Sequence, residues 1–452
     1  MPSSLMMSVS GIRGIVGETL TPDLINRVGK AFSKFVKKGT VVVGRDSRPT
    51  GGVILSGIKS SLALSGCTVI DLGIVPTPTV QLMVELLHAE GGIVISASHN
   101  PIEWNAFKLI NSLGTFLTST QINRFFKYLD EKPSYVKWDN VGTVSVNDSA
   151  GDMHIKKILE VVDADKIREC GFTVALDSVN GAGSLITQEL LSELKCRILP
   201  IHCEMNGEFP RGAEPVQKNL KDLSTAVVKY HADIGFAQDP DADRLAIVDE
   251  KGHAIGEEYT IVLVAHHLLA SQQGRVVVNL STTKAVEDIA KKYNVPFTRT
   301  KVGEINVVEE MIKKGARIGG EGNGGIISPE VHLGRDSLVG IAYILEMMAE
   351  RKKALSEIMS QMPRYVMKKG KVKIDAKKIN SRKLGVISKK FKDEKVSLAD
   401  GLRIDFKSHA EFSGGWVHLR SSNTEPIFRI IAEGKNSKQA SAIYSSFSNL
   451  LK

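Results

Sequence analysis

Residues 40–52 have the sequence TVVVGRDSRPTGG, in which a β-branched apolar run passes into a turn-rich loop ahead of a helical pattern. The same order recurs in FTVALDSVNGAGS from Phe172 and in GRVVVNLSTTK from Gly274. Continuous apolar runs are typical of strands that are buried on both faces of a parallel sheet. The three stretches therefore predict three similar α/β domains in tandem.

Shorter apolar runs extend this pattern. The runs at 67–75, 91–96 and 244–250 predict further strands, each followed by a loop rich in Pro, Gly or Ser. Ligands of open α/β sheets bind outside the carboxyl ends of the strands, so we expect the functional side chains in such loops. Near the C-terminus the runs GLRIDF, GWVHLRSS and IFRIIAE predict antiparallel strands with a terminal helix, an α+β arrangement.

A chain of 452 residues is long enough for several domains of roughly 100–150 residues each. Three stretches predict the junctions: the polar segment 131–152, the segment 251–260 with two glycines, and the charged segment 364–373, which we interpret as a linker. The predicted domains are 1–150, 151–254, 255–367 and 368–452.

The composition, with 42% hydrophobic and 24% charged residues, is that of a globular protein. No apolar run approaches the ~18–20 residues of a membrane span, and the first residues lack the layout of a signal peptide. We therefore expect a cytoplasmic protein with no membrane partner. The four cysteines form no Cys-x-x-Cys pair, so neither a disulfide framework nor a zinc site is suggested.

The net charge of +9 raises the question of nucleic-acid binding. The excess is local, because residues 351–400 contain 16 Lys or Arg and 5 Asp or Glu. This segment has helical apolar spacing and no interleaved aromatics, which favours a solvated helix and linker. We expect no nucleic-acid partner.

The segment ISASHNPIEWNAFKLI at 95–110 predicts a strand that runs into a turn at Pro101. Proline forbids a continuing ladder or helix, so the hydroxyl of Ser98 is expected on an exposed turn, where a nucleophile would lie. Lys108 could stabilise negative charge on an oxygen or a phosphoryl group. The alternative is a turn that satisfies only its own hydrogen bonds.

The segment Asp239-Pro-Asp241-Ala-Asp243-Arg244 lies between two predicted strands. Three carboxylates at alternate positions of one turn converge, and hard oxygen ligands of this kind suit Mg²⁺. The EF-hand pattern fails, because its glycine position holds Arg244. A solvated acidic turn neutralised by Arg244 is the alternative.

The glycine-rich stretch at 319–325 would let the backbone approach a ligand closely. Its Glu321 and Asn323 offer a carboxylate and an amide that suit sugar hydroxyls. A glycine-rich hairpin without a ligand explains the spacing equally well.

The stretch Arg420-Ser-Ser422-Asn423-Thr424-Glu-Pro, with Arg429 close behind, gathers the hydrogen-bond donors that a dianionic phosphate requires. A capped turn that leads into a strand is the alternative. Neither a Walker loop nor a dinucleotide fingerprint follows a strand, which argues against nucleotide hydrolysis and hydride transfer.

Taken together, the sequence resembles the α-D-phosphohexomutase superfamily over its whole length. Its signatures occur in the family's order: GIRG at 11–14, SASHNP, the D-x-D-x-D-R loop, the G-E-x-x-G loop and the R-x-S-x-T-E-P loop. The resemblance implies an α/β protein with four domains around a central cleft, three of them similar and the last a smaller α+β domain.

The resemblance also implies a mechanism. Ser98 would be carried as a phosphoserine, and Asp239, Asp241 and Asp243 would hold Mg²⁺ together with its phosphate. The phosphoryl group would pass to a hydroxyl of a hexose or hexosamine phosphate and give a bound bisphosphate. A hexose bisphosphate is thus the implied activator.

The resemblance assigns further residues. Arg244 would neutralise the transferring group, and Arg13 and Lys108 would assist proton transfer or steady charge near the phosphoserine, with the general base left open. Glu321 and Asn323 would bind sugar hydroxyls. The phosphate that does not react would be held, on a mobile last domain, by Arg420, Ser422, Asn423, Thr424 and Arg429.

Three positions depart from the family pattern: Ala106 replaces a usual Gly, Asn323 a usual Ser, and Gly325 the His of several bacterial members. The SASHNP motif and the length favour a phosphoglucosamine mutase, with phosphoglucomutase or phosphomannomutase as the alternative. From other classes, an inactive sugar-phosphate-binding protein and a Mg²⁺-dependent phosphatase remain open. A monomer and a homodimer are both compatible with the sequence.

Overall fold

The computed structural model describes residues 5–132, 135–372, 381–421 and 428–451. Within them, four separate sheets follow one another along the chain. Three sheets are mixed and carry helices, and the last is antiparallel throughout. The predicted α/β class with a smaller α+β C-terminal domain is confirmed.

The first domain contains a sheet in the order β1-β2-β6-β5-β3-β4-β7. Its strands are β1 (Met6–Ser8), β2 (Gly11–Ile15), β3 (Thr40–Arg45), β4 (Thr68–Ile74), β5 (Gly91–Ile95), β6 (Trp104–Asn111) and β7 (Val144–Val146). Its helices are α1 (Pro22–Phe35), α2 (Gly51–Leu64), α3 (Thr77–Leu86) and α4 (Ser119–Leu129). The β-branched run that we quoted first forms β3, whose Val41, Val42 and Val43 are fully buried as a two-faced strand requires.

The second domain has the sheet order β11-β10-β8-β9. Its strands are β8 (Thr173–Asp177), β9 (Arg197–Ile201), β10 (Ile234–Gln238) and β11 (Leu245–Asp249). Its helices are α5 (Ala150–Leu159), α6 (Ala164–Cys170), α7 (Gly183–Glu193) and α8 (Lys221–Lys229).

The third domain has the sheet order β13-β12-β14-β15. Its strands are β12 (Arg275–Asn279), β13 (Phe297–Thr300), β14 (Ala316–Glu321) and β15 (Gly325–Ile327). Its helices are α9 (Glu258–Ser271), α10 (Ala285–Lys292), α11 (Glu304–Lys314), α12 (Ser337–Arg351) and α13 (Leu355–Ser360).

The three mixed sheets repeat one pattern. In each, the first strand of the repeat pairs in parallel with the second and third, and the third pairs with an antiparallel fourth. The loop between the third and fourth strands is therefore equivalent in the three domains. These loops hold SASHNP in the first domain, the three aspartates in the second, and the end of the glycine-rich stretch in the third.

The last domain has the sheet order β16-β20-β19-β18-β17. Its strands are β16 (Val366–Val372), β17 (Lys395–Ser397), β18 (Leu402–Asp405), β19 (Trp416–Ser421) and β20 (Phe428–Gly434). Its helices are α14 (Ser381–Lys390) and α15 (Ser437–Leu451).

The interpretation of residues 364–373 as a linker is wrong. Residues 366–372 form the edge strand β16, which pairs with β20 from Val366 opposite Gly434 onward. The predicted division at 367 falls inside this strand. Lysines are usual on edge strands because they discourage further pairing, and here they gave the strand the composition of a linker.

The apolar cores show how the domains are joined. One continuous core contains Leu176 and Ile234 of the second domain together with Val276 and Leu338 of the third. The first and last domains have cores of their own. Polar contacts connect the last domain to the third, among them ion pairs of 2.9 Å and 2.8 Å from Lys369 to Glu257 and Glu258.

None of the helices in the described part of the chain has both the length and the hydropathy that crossing a membrane would require.

Candidate active site

The loop after β5 presents Ser98 to the second domain. Ser98 has a left-handed backbone (φ 48°), and its Oγ donates a hydrogen bond to Asp239 Oδ2 at 2.8 Å. His99 Nδ1 lies 3.3 Å from Ser98 Oγ. The expectation of an exposed turn is wrong: Ser98 is only 3% exposed, because the aspartate loop of the second domain covers it.

Arg48, for which the sequence predicted no role, anchors this loop. Its guanidinium donates to the carbonyl oxygens of Ser98 at 2.7 Å, Asn100 at 2.7 Å and Pro101 at 2.6 Å. Its Nε donates to Asp46 Oδ2 at 3.1 Å, and both side chains are fully buried. Arg48 follows β3, which is the sheet neighbour of β5, so strand order is the signal that could have placed it beside Ser98.

The second loop brings three carboxylates together. Asp239, Asp241 and Asp243 are fully buried in the hairpin between β10 and β11, and one oxygen of each lies within 4.8 Å of the others. Two other domains fix the hairpin: the Thr77 amide donates to the Asp241 carbonyl at 3.0 Å, and Ser337 Oγ donates to the Ala242 carbonyl at 2.6 Å. The predicted convergence of the carboxylates is confirmed.

Positive side chains surround this acidic loop. Lys108 Nζ forms an ion pair with Asp241 and lies 3.6 Å from Asp243 Oδ2. Arg244 Nε lies 3.7 Å from Asp239 Oδ2 and 3.6 Å from Asp243 Oδ1. The loop is therefore not a solvated acidic turn, since its charges are compensated inside the protein.

The surroundings shift the pKa values of Asp239 and Asp241 in opposite directions. Burial and the charges of Asp243 and Asp241 raise the pKa of Asp239 well above its ordinary value. Burial would also raise the pKa of Asp241, but the charge of Lys108 and its hydrogen bond hold that pKa below its ordinary value. Burial opposes the charge of Lys108, yet Asp241 and Asp243 raise its pKa, so the amine stays protonated at neutral pH.

The carboxylates fit a hard divalent cation. Oδ1 of Asp241 and Oδ1 of Asp243 are buried and have no hydrogen-bond partner among the residues that the structure describes. Buried carboxylate oxygens normally have a partner, and oxygen donors of this charge density are the ligands that Mg²⁺ prefers. The two free oxygens are the positions through which a cation would be held.

Arg13 and His99 complete the surroundings of Ser98. Arg13, on β2, donates a short hydrogen bond to Asn100 Oδ1, and burial lowers the pKa of Arg13 to about 10. Burial and the charges of Arg244 and Arg13 lower the pKa of His99 well below its ordinary value, so its imidazole is neutral.

The third loop places Glu321 and Asn323 in a network of protein contacts. Glu321 Oε1 accepts from Asn279 Nδ2 at 2.7 Å and from the Gly303 amide at 3.0 Å. Asn323 Oδ1 accepts from the Gly325 amide at 3.2 Å. The two side chains lie near the aspartate loop, but their polar atoms are engaged with the protein in this arrangement.

Arg335, which the sequence did not single out, joins the second and third loops. It donates to Glu321 Oε2 at 2.7 Å and to Glu304 Oε2 at 2.9 Å, and it forms an ion pair with Asp243. Arg335 directly precedes Asp336, the N-cap of α12. An arginine beside a helix start is too common for its contacts to be inferred from the sequence.

In the last domain, Arg420 and Arg429 lie opposite each other on β19 and β20. Arg420 Nε donates to Asp400 Oδ2 at 3.1 Å, and its buried Nη2 has no hydrogen-bond partner within the described ranges. Ser422, Asn423 and Thr424 lie outside the described residues.

Comparison with known proteins shows the family to which the chain belongs. Three family models match the chain, named phosphoglucomutase/phosphomannomutase, alpha/beta/alpha domains I, II and III, at residues 5–135, 152–252 and 256–365. The chain belongs to the phosphoglucomutase/phosphomannomutase family. It is therefore a phosphohexomutase, a member of the α-D-phosphohexomutase superfamily.

Individual relatives extend the likeness to nearly the full length of this phosphohexomutase. A phosphoglucomutase/phosphomannomutase of Thermococcus kodakarensis is 36% identical over 95% of the chain and 94% of its own length. A protein of Methanococcoides burtonii, named as a probable phosphoglucosamine mutase, is 36% identical over 98% of both chains. The fold is shared with a phosphoglucomutase/phosphomannomutase family protein of Burkholderia thailandensis (TM-score 0.83, 24% identity, 98% and 96% coverage).

For a phosphohexomutase, the arrangement brings a serine hydroxyl, an acidic loop and several cations to one place. Ser98, Lys108, Arg244 and the three aspartates are in mutual contact through the bonds described above. The three carboxylates have the arrangement that a metal site requires and fit a Mg²⁺-dependent isomerase of this class.

Proposed function

We propose that this phosphohexomutase moves a phosphoryl group between the 6- and 1-positions of a hexosamine phosphate and converts glucosamine-6-phosphate to glucosamine-1-phosphate. The observation that carries the proposal is the 2.8 Å hydrogen bond from Ser98 Oγ to Asp239 Oδ2. It places a hydroxyl beside carboxylates that suit a divalent cation and beside fixed positive charges. Such a hydroxyl can carry a phosphoryl group.

In the proposed cycle Ser98 begins as a phosphoserine. The free hydroxyl of the bound sugar phosphate attacks the phosphorus, the bond from phosphorus to Ser98 Oγ breaks, and the hydroxyl proton passes to a base. The resulting bisphosphate reorients in the site, and Ser98 Oγ then gives up its proton and attacks the other phosphate. The bond from that phosphorus to the sugar oxygen breaks and the sugar oxygen takes up a proton, which releases the isomeric monophosphate and restores the phosphoserine. An added hexose bisphosphate would load an unphosphorylated Ser98 in the same way, which makes it the proposed activator.

The acidic loop would hold the cation through Asp239, Asp241 and Asp243, with the Ser98 phosphate as a further ligand. When bound, Mg²⁺ supplies Lewis-acid neutralisation of the transferring phosphoryl group. Lys108, on β6, and Arg244, at the end of this loop, already form ion pairs with its aspartates and contribute fixed positive charge. Positioning and charge stabilisation account for most of the acceleration in phosphoryl transfer.

The sugar and its second phosphate would be held by the third and last domains. Glu321 keeps its negative charge, since Arg335 holds its pKa below the ordinary value against the effect of burial. An ionised carboxylate accepts hydrogen bonds from sugar hydroxyls. We propose that Asn323 does the same with its amide, and that Arg420 and Arg429, with Ser422, Asn423 and Thr424, hold the phosphate.

Two observations bear on the sugar. The SASHNP motif and the name of the Methanococcoides burtonii relative support the hexosamine. The Thermococcus kodakarensis relative supports a second candidate, a phosphoglucomutase or phosphomannomutase.

The first experiment measures the phosphorylation of Ser98 and its exchange. The purified protein is incubated with Mg²⁺, a hexose bisphosphate and, in parallel, glucosamine-6-phosphate, glucose-1-phosphate or mannose-1-phosphate, and is followed by intact mass and peptide mapping. We expect phosphate on Ser98 that exchanges fastest with glucosamine-6-phosphate. Faster exchange with glucose-1-phosphate or mannose-1-phosphate would replace the proposed substrate, and release of inorganic phosphate without interconversion would indicate a phosphatase.

Asp241→Asn tests the acidic loop. Loss of one anionic ligand is expected to raise the Mg²⁺ concentration for half-maximal activity by about tenfold or more, since metal affinity depends on ligand charge. The measurement is a Mg²⁺ titration of initial rates. Asp139→Asn, which changes an exposed carboxylate, is the control and should titrate as the wild type does. If Asp241→Asn needed the same Mg²⁺ concentration for half-maximal activity as the wild type, Asp241 would not be a metal ligand.

Arg420→Ala tests the phosphate contact. Hydrogen bonds to charged groups contribute about 1.5–3 kcal/mol, so KM for the sugar phosphate should rise by roughly 10- to 150-fold with a smaller change in kcat. Arg420→Lys keeps the charge but lacks the forked donors of a guanidinium, so its KM should lie between those of the wild type and Arg420→Ala. The exposed Arg197→Ala is the control. An unchanged KM in Arg420→Ala would mean that this arginine does not hold the phosphate of the substrate.

A further inference from the structure

A second buried group of potential metal ligands lies away from Ser98 and the three aspartates. His154 on α5, with His332 and Asp336 just before α12, are each 2% exposed or less. One donor atom of each lies within 4.8 Å of the others. His154 Nε2 is 2.8 Å and His332 Nε2 is 3.4 Å from Asp336 Oδ2. The phosphoryl-transfer cycle uses none of these three side chains.

The outer atoms of two of these side chains are already oriented. His154 Nδ1 lies 2.9 Å from Thr79 Oγ1, and Asp336 Oδ1 accepts from the Leu338 amide at 2.8 Å. Metal-binding histidines typically donate their second ring N–H to an oxygen, and metal-binding carboxylates are held by hydrogen bonds in the same way. The remaining atoms, His154 Nε2 and Asp336 Oδ2, are hydrogen-bonded to each other at 2.8 Å, and a bound metal would take the place of the shared proton.

The third side chain, His332, is the least well satisfied of the three. Its Nε2 lies 3.4 Å from Asp336 Oδ2 without the alignment of a hydrogen bond, and its Nδ1 has no hydrogen-bond partner among the described residues, although the side chain is completely buried. Oε1 of Glu85 on α3 is likewise buried and without a hydrogen-bond partner there. Buried polar atoms are seldom left without a partner, and a bound ion is one of the features that satisfies them.

We propose that His154, His332 and Asp336 form a structural site for a divalent transition metal of the Zn²⁺ type. Ligand atoms around one tetrahedral Zn²⁺ lie about 3.3 Å apart, which is close to the separations of 2.8 Å and 3.4 Å in this cluster. Two imidazoles with a carboxylate favour Zn²⁺ over Mg²⁺, which takes oxygen ligands. His154, His332 and Asp336 would supply three ligands, and a water molecule would take the fourth tetrahedral position.

The site would join three parts of the chain. Thr79 belongs to α3 of the first domain, His154 to α5, and His332 and Asp336 to the third domain. Arg335, which binds Asp243 and Glu321, directly precedes Asp336. A metal here would therefore hold α5 of the second domain against the third domain, with Thr79 of the first domain fixing His154, and would keep Arg335 in place.

This inference departs from the sequence analysis. The absence of Cys-x-x-Cys spacing suggested no zinc site, and the histidines carried no comparable signal, because His154 and His332 are far apart in the chain. Only the packing of α5 against α3 and α12 brings them together.

The test is a Co²⁺ titration of the full-length protein after treatment with EDTA and return to excess Mg²⁺, which saturates the carboxylate loop. Tetrahedral Co²⁺ with nitrogen ligands absorbs visible light much more strongly than Co²⁺ with six oxygens. We expect one equivalent of Co²⁺ with strong visible bands, which one equivalent of Zn²⁺ abolishes. Absence of these bands, or Zn²⁺ retention below one equivalent after gel filtration, would overturn the proposal.

Variants locate the site. His332→Gln should lose Co²⁺ affinity by about 100-fold or more, and Thr79→Val, which removes the partner of His154 Nδ1, by about tenfold. Asp241→Asn, in the Mg²⁺ loop, should bind Co²⁺ with the wild-type spectrum. Circular dichroism checks the fold, and Thr79→Val decides the matter if His332→Gln does not fold. Wild-type affinity in both Thr79→Val and a folded His332→Gln, or loss only in Asp241→Asn, would overturn the assignment.

Discussion

Ser98→Ala should lower kcat by about 10⁴-fold or more, because the phosphoryl group then has no covalent carrier. Ser98 is the hydroxyl that contacts Asp239, and His99 and Arg48 position the same loop. The measurement is the rate of sugar-phosphate interconversion in the presence of hexose bisphosphate, combined with intact mass. We expect the variant to remain unphosphorylated under conditions that phosphorylate the wild type.

The fold of this variant should be kept. Ser98 is buried, so the hydroxyl adds about 1 kcal/mol through its hydrogen bond to Asp239, and Tm should fall by only a few degrees. Ser33→Ala is the matched control: Ser33 is a buried serine of the same domain, and its Oγ donates to the Ser65 carbonyl at 3.1 Å. Ser33→Ala should still become phosphorylated. Activity of Ser98→Ala within tenfold of the wild type would contradict the assignment of the nucleophile.

Much of the fold follows from local patterns. The run Val41–Val43 was continuous because β3 is covered on both faces, and the same holds for β8 and β12. These runs, with the loops after β5 and β10, were enough to predict the repeated α/β domains. β16 was missed because an edge strand pairs on one side only and tolerates lysines at several positions.

The candidate site was predictable wherever one loop holds several chemical groups. The three aspartates occupy every second position of one short loop, so their convergence follows from a single turn. Arg48 and Arg335 were missed because each acts through residues that are distant in the chain: Arg48 on the Ser98 loop, and Arg335 on Asp243 and Glu321. The burial of Ser98 was missed for the same reason, since a loop of another domain covers it.

Arg48→Met should destabilise the first domain by about 3–5 kcal/mol, because it leaves a buried charge without its partner. Burial raises the pKa of Asp46, and the charge of Arg48 opposes that shift. Without Arg48 the folded-state pKa rises further above the unfolded value, so the loss of stability should grow as the pH rises from about 4 towards neutral. Thermal unfolding at a series of pH values measures this, with the exposed Arg197→Met as control.

A double variant separates the role of Arg48 in folding from its role at the site. Asp46→Asn/Arg48→Met removes the unpaired charge and should recover much of the Tm. It cannot restore the donors to the carbonyl oxygens of Ser98 and Asn100, so kcat should stay about 100-fold below the wild type, the usual cost of a displaced catalytic group. If the double variant regained both Tm and kcat, Arg48 would act only as the partner of Asp46, and another residue would have to position Ser98.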